Sequence, residues 1–286
     1  YEVMILNSLE DLSGPEPRLL LEDIQEIPIP VIMICHRADL LAVHPLLHTV
    51  QNHPRRKLLV TAPHVAEQLR EVDGIDAGIF FSTYNGEFPQ PPFHGPKAVF
   101  AVQGDLDPGK RHYESLFNAV EELKREGLRH FRVRMAGRDS GNSQALWDEI
   151  RKRGLSSHIQ KASHPENYGR FYRSLAECHY LLPLIDETRP EYHRYYTYES
   201  SSSIPLALGM GLVPVINRVQ AQGWGIEQGC ILYDGADVTG AMRQAITITQ
   251  GELHYRQKHL QEARRFFLHQ NALLLTMALK GAPLRF

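Results

Sequence analysis

The sequence predicts an α/β protein of two units, each a parallel sheet with helices on both faces. Three observations carry this. Short, continuous apolar runs of strand length alternate with segments of helical periodicity, and a strand buried on both faces reads as such a run. A glycine- and proline-rich stretch without periodicity, TYNGEFPQPPFHGPK (83–97), splits the alternation into two series and reads as a linker. The length of 286 residues, with 43% hydrophobic and 22% charged, suits two domains of ordinary globular composition.

In the first series, YEVMILN (1–7) is a strand ended by Asn7 and Ser8, and residues 16–26 carry a weak helical pattern. PVIMICH (30–36) is a buried strand, and RADLLAVHPLLHTV (37–50) has helical spacing interrupted by Pro45. RKLLVTA (56–62) is the third strand. PHVAEQLREV (63–72) is a helix opened by proline, whose missing N–H costs nothing there. DAGIFFS (76–82) is a fourth, short strand.

The second series is clearer. AVFAVQG (98–104) is a strand followed by a helix over 112–127; HFRVRMAG (130–137) is a strand followed by a helix over 142–155. SHIQKAS (157–163) is a short strand, 165–178 a helix, and HYLLPLI (179–185) a strand. An irregular stretch, 186–199, leads to a helix over 200–211 with a serine N-cap. Strands at 213–218 and 230–235 and helices at 237–249 and 251–279 complete the chain. The expected organisation is therefore an N-terminal Rossmann-like unit at 1–97 including the linker 83–97, a second at 98–250, and a C-terminal segment, 251–286, whose helix braces the first unit.

A net charge of −2 argues against a dedicated nucleic-acid binder. No apolar run reaches the roughly 18 residues of a membrane span; the longest near the start, IPIPVIMIC, is broken by prolines and fits a buried strand. The first residues lack a basic region followed by an apolar one, so no signal peptide is read. Cys35, Cys178 and Cys230 lie far apart in apolar surroundings and read as buried thiols of a reducing compartment, so the expected location is the cytoplasm or the cytosolic face of a membrane. Of the 15 histidines only His44 and His48 have an i, i+4 relation, with no third ligand nearby, so no metal site is expected.

Ligands of doubly wound sheets bind at the carboxyl ends of the strands, and the polar candidates cluster there. The turn VQGDLDPGKR places Gly104, Pro108 and Gly109 and then two cations, Lys110 and Arg111, at a helix start that is already positive. That arrangement is costly unless an anion arrives, and a phosphate fits. Ser200, Ser201, Ser202 and Ser203 offer hydroxyls and N–H groups at a second helix start, either as an anion site or as a plain cap, with Glu199 just before them. His36 ends a buried strand. Arg138 and Asp139 follow another, and Glu187, Thr188 and Arg189 a third. Tyr192, Tyr195, Tyr196 and Tyr198 with His193 form an aromatic cluster that either stacks on a ligand or packs its own loop. The pair Asp105 and Asp107 reads as an aspartate-rich turn rather than as a metal site.

In this order of elements, residues 98–250 resemble the C-terminal domain of glycosyltransferases of the GT-B fold, especially retaining family 4. VQGDLDPGKRHYESLFNAV, FRVRMAGRDSG and YESSSSIPLALGMGLVPVI carry the resemblance, and upstream PVIMICHRADLL and KLLVTAPHVAEQL are similar to the acceptor domain. The resemblance implies a metal-independent transfer of sugar from a UDP- or GDP-linked donor, with retention, to an acceptor saccharide, lipid or protein. It implies that Lys110 and Arg111 face the diphosphate, with Gly104, Asp105 and Arg138 among the residues that bind the donor. Glu199 and Ser201, Ser202 and Ser203 would hold the donor, and His36 would face the acceptor.

The family's usual arginine after the first glycine is here Asp105. Its acidic pair is either Glu191 and Glu199, or Glu199 with Ala207 at the second position. The family's opening strand–helix units have no counterpart before residue 1, and the chain starts with Tyr1, so an incomplete chain or a reduced acceptor domain is expected. Two alternatives stand beside the transferase: a non-catalytic GT-B-like protein that binds a nucleotide or sugar, and a nucleotide-sugar epimerase.

Overall fold

The computed structural model describes residues 3–8, 27–43, 53, 55–83, 97–139, 141, 143–162 and 168–280. The helical reading of 16–26, the second half of 37–50 with His44, Pro45 and His48, and most of the 83–97 linker lie outside these residues. The described residues fall into two compact units. The first draws on Tyr1–Ser82, Arg194–Ser200 and Arg265–Phe286, the second on Thr83–His193 and Ser201–Arg264.

The first unit is a parallel sheet of β1 (Met4–Asn7), β2 (Val31–Cys35), β3 (Arg56–Val60) and β4 (Gly78–Ile79), paired in that order. Its centre is β2, buried at every residue, which is why its sequence is an unbroken apolar run. The helix Pro63–Gln68 continues as a π-helical turn, Leu69–Asp73, and stops at Gly74, whose φ of 65° suits glycine. Residues 38–43 form a 3-10 helix. From the last helix, Gln250–Leu279, Leu274 and Ala278 pack on Ile32, Ile34 and Leu59. Phe267 stacks on Phe81 at 4.0 Å. The Asn271 amide closes a two-bond clamp on the Phe81 backbone, accepting from its N–H at 2.9 Å and donating to its C=O at 2.8 Å.

The second unit has six parallel strands: β5 (Ala98–Gln103), β6 (Phe131–Ala136), β7 (Ile159–Lys161), β8 (Tyr180–Leu181), β9 (Val213–Asn217) and β10 (Ile231–Tyr233). Their spatial order is β10-β9-β8-β5-β6-β7. Successive strands run outward from β5 through β6 to β7; the chain then returns to the other side of β5 and runs outward from β8 to β10. The order reverses between β5 and β8, which opens a crevice at the carboxyl ends of those two strands. On one face Ala101, Ala136 and Leu181 pack against Phe171, Leu175, Leu206 and Met210. On the other, helix Tyr113–Arg125 buries Leu116, Ala119, Val120 and Leu123 and packs beside helix Val238–Thr247.

The two-sheet α/β reading holds, with local differences that have physical reasons. The strand expected at 179–185 pairs only over Tyr180–Leu181, because the chain turns out of the sheet and Leu184 takes a left-handed φ of 56°. The irregular stretch contains a 3-10 turn, Pro190–Tyr192, and a one-turn helix, Arg194–Thr197. Helix Arg218–Trp224 has no counterpart in the sequence reading; it is only 7 residues long and its glycine interrupts any periodicity. The serine-rich helix begins at Ser203. Its N-cap, Ser202, makes no side-chain cap bond, and the hydroxyl of Ser201 accepts from the Ser203 N–H at 3.3 Å instead.

Candidate functional site

The crevice is built first from the loop between β5 and its helix. Gly104 leaves β5 with φ 109°, and its N–H donates to Ala136 C=O at 3.2 Å. Leu106 N–H donates to Arg138 C=O at 3.0 Å, so the loops after β5 and β6 stay zipped beyond the strands. This requires Gly137: a Cβ there would lie 1.7 Å from the Gly104 carbonyl oxygen. Asp107 ties the turn, its carboxylate accepting from Gly109 N–H at 2.9 Å.

The two cations of this turn have different fates. Lys110 stays half-exposed and pairs with Asp105 at 2.7 Å; Arg138, well exposed, reaches the other oxygen of the same carboxylate at 3.3 Å. The hydrogen bond from Lys110 is the main reason the Asp105 carboxyl titrates below its ordinary value, against a smaller opposing effect of burial. Arg111 is buried. Its guanidinium donates to Pro183 C=O at 2.6 Å and to Ser203 Oγ at 3.4 Å, and Ser203 Oγ donates on to Gln103 Oε1 at 3.2 Å. The arginine thus ties the β5 loop to the exit of β8 and to the start of helix Ser203–Met210. It lies over Gly104, where a Cβ would be 2.5 Å from its Nη2.

The β8 exit completes the crevice. Leu184 C=O accepts from His112 N–H at 2.8 Å. The buried Asp186 lies 3.3 Å from His112 Nδ1 and accepts from Thr188 N–H at 2.9 Å and Thr188 Oγ1 at 2.7 Å. Desolvation and the nearby Arg189 lower the His112 pKa, outweighing the opposing pull of Asp186. Glu187 accepts from Gly235 N–H at 2.9 Å and from the buried Asn217 amide, cross-linking the exits of β8, β9 and β10. Tyr192 is buried and donates to Pro108 C=O at 3.0 Å, so this ring packs the loop.

The structure therefore brings together Gly104, Asp105, Lys110, Arg111, Arg138 and Ser203 at one edge of the second unit. Ser201 is buried beside Ser203, and Ser202 is exposed. Glu199 and Ser200 belong to the first unit. There Glu199 is ion-paired with Arg194 at 3.1 Å, its carbonyl accepts from His64 Nε2 at 3.2 Å, and Ser200 Oγ is bonded to Thr61 Oγ1 at 2.8 Å. His36, at the carboxyl end of β2, is bonded to Asn7 at 3.0 Å.

Sequence reasoning missed Gln103 and Asn217. Each is a polar residue closing an apolar strand at its carboxyl end, and that signal was available. Among the described residues no group of three or more His, Cys, Asp or Glu is placed to hold a metal ion, and no helix is long and apolar enough to cross a membrane. The three cysteines are free and buried, and burial pushes the Cys178 thiol up to about 12.

No protein-family model matches the sequence, and no curated protein matches it. Solved structures do. A UDP-forming α,α-trehalose-phosphate synthase from Burkholderia vietnamiensis matches with a TM-score of 0.58 at 12% identity, over 96% of this chain and 73% of that one. Trehalose-6-phosphate from E. coli bound with UDP-2-fluoro glucose, as that structure is described, matches with 0.58 at 11%, over 97% and 73%. TarM matches with 0.60 at 11%, over 97% of this chain and 54% of that one. The chain has the fold of these proteins, the GT-B arrangement of two Rossmann-like domains.

Proposed function

We propose that the chain is a nucleotide-sugar-dependent glycosyltransferase that takes a UDP- or GDP-linked donor at the switch point of its second unit. The observation that carries this reading is the convergence of the β5 loop, the β8 exit and the Ser201–Ser203 segment at the reversal of strand order. The names of the fold's neighbours, a UDP-forming synthase and a protein bound with UDP-2-fluoro glucose, support it.

Cleaving the bond between sugar and diphosphate builds negative charge on the leaving phosphate and positive charge on the sugar. Fixed cations at the phosphate stabilise that transition state. Lys110 and Arg138 present exposed cations to the diphosphate. Arg111 supplies charge from below and holds the loop in shape. The start of helix Ser203–Met210 adds its positive end, with Ser202 at the surface. Gly104 and Asp105 line the approach. In the first unit His36, at the end of β2, serves the acceptor, which is a saccharide, lipid or protein. Glu199, ion-paired with Arg194, is the carboxylate proposed to bind a sugar hydroxyl. Retention and metal independence follow from the family-4 resemblance.

A thermal-shift screen with UDP, GDP, ADP, CMP and their sugar conjugates tests the reading, because a ligand of the native state alone raises the melting temperature. One nucleoside diphosphate is expected to stand out, and its sugar conjugate to be slowly hydrolysed. Lys110→Ala is expected to lose roughly 2–4 kcal/mol of transition-state stabilisation. A folded protein that shifts with no compound contradicts the reading; binding without hydrolysis or transfer turns it into a binding protein.

A further inference from the structure

We infer that Asp105 is an internal counter-ion that competes with the diphosphate for Lys110 and Arg138, and so favours release of the sugar-free nucleoside diphosphate. The inference rests on the donor-site reading and deepens it. One carboxylate spans two cations from different loops, Oδ2 to Lys110 Nζ at 2.7 Å and Oδ1 to Arg138 Nη2 at 3.3 Å. Two oxygens on two separate cations is the arrangement a phosphate would adopt there.

The pairs are cheap to exchange. The Lys110 and Arg138 side chains are 44% and 71% exposed, and ion pairs in such surroundings contribute little. The Asp105 backbone, in contrast, is held. Its neighbour Leu106 is bonded to Arg138 C=O at 3.0 Å, and its own carbonyl accepts from Tyr113 Oη at 3.4 Å. An arriving phosphate therefore displaces the carboxylate by side-chain rotation only, and the displaced charge stays within a few ångströms of the ligand. Asp105, Asp107, Lys110, Arg111 and Arg138 sum to one positive charge (three cations less two acids). Removing Asp105 doubles it.

The remaining repulsion grows with ligand charge. A nucleoside diphosphate has a terminal phosphate that ionises a second time near neutral pH, and its sugar ester does not. Asp105 therefore penalises the product more than the donor.

The test is calorimetric titration of the wild-type chain, Asp105→Asn and Asp105→Ser with inorganic pyrophosphate, UDP, GDP and their glucose conjugates. Both variants are expected to bind pyrophosphate and the preferred nucleoside diphosphate about tenfold tighter, and its sugar conjugate about threefold tighter. Melting curves of both variants check the fold. Binding that is unchanged or weaker in both folded variants, an equal gain for product and donor, or no pyrophosphate binding by any of the three proteins overturns the inference. Because pyrophosphate binding needs neither nucleotide nor transfer, tighter pyrophosphate binding without any donor hydrolysis upholds Asp105's role while removing the transferase reading.

Discussion

The two sheets are alike in class and unlike in order. In the first unit the described strands follow one another, β1-β2-β3-β4, without reversal. In the second they reverse between β5 and β8. The exit of β2 carries His36 on Asn7, Arg37 on Asp39, and a backbone tie from Ala38 N–H to Tyr198 C=O at 2.8 Å. The exits of β5 and β8 are laced by bonds from Arg111 to Pro183 and Ser203 and from His112 to Leu184. A parallel sheet alone does not make a pocket. Reversal of strand order separates two loops that would otherwise cover each other, and buried polar side chains then hold them at a fixed spacing.

The largest expected effect comes from breaking that spacing by sterics. Gly137→Ala puts a Cβ against the Gly104 carbonyl, a backbone atom that cannot swing away. We expect a loss of about 3 kcal/mol in urea unfolding. Both tryptophans, Trp147 and Trp224, lie in the second unit, so their fluorescence reads it directly. Gly104→Ala meets the guanidinium of Arg111, which would have to give up its bonds to Pro183 and Ser203, and does so at a φ of 109°, so a comparable cost is expected. A Gly137→Ala protein of unchanged stability would mean that the zipped loops contribute nothing.

Arg111→Ala comes next. It strands the Pro183 carbonyl and loosens the Ser203–Gln103 pair, which should cost about 2 kcal/mol by the same measurement, with Arg111→Lys recovering part. An Arg111→Ala protein of unchanged stability would show that the guanidinium does not tie the loops.

The smallest effect is in pH. His112 and His158 both titrate below the ordinary 6.5 in the folded second unit, chiefly through burial. The unfolded chain then binds more protons than the folded one between those lowered values and 6.5. Stability therefore rises with pH through this window and is lost as pH falls below about 6.5. The melting temperature by tryptophan fluorescence should drop between pH 7 and 5, and His112→Gln should flatten part of the drop. A second, acid-side loss belongs to Asp105, whose carboxyl is depressed by Lys110; its contribution is present above the ordinary 3.8 and disappears as pH falls through the folded value.

Most of the fold was legible because parallel strands buried on both faces announce themselves. AVFAVQ and VPVIN need no context. Gly104 and the cations of the β5 loop were legible as chemistry. Their division of labour was not, since the partners of Arg111 are 72 and 92 residues away in sequence. Nothing local distinguishes the buried arginine from the exposed lysine beside it. The serine run illustrates the same limit: Ser200 bonds to Thr61 in the first unit while Ser203 bonds to Gln103 in the second, so a boundary between units runs through four identical residues.

The most direct test of the account is hydrogen exchange of the full chain with and without the nucleoside diphosphate that shifts its melting temperature. The account predicts slowed exchange at residues 104–112, 183–189 and 201–206, with the β2 and β3 exits little changed. Protection confined to the exits of β2 and β3, or spread evenly over both units, would contradict placement of the donor at the switch point of the second sheet.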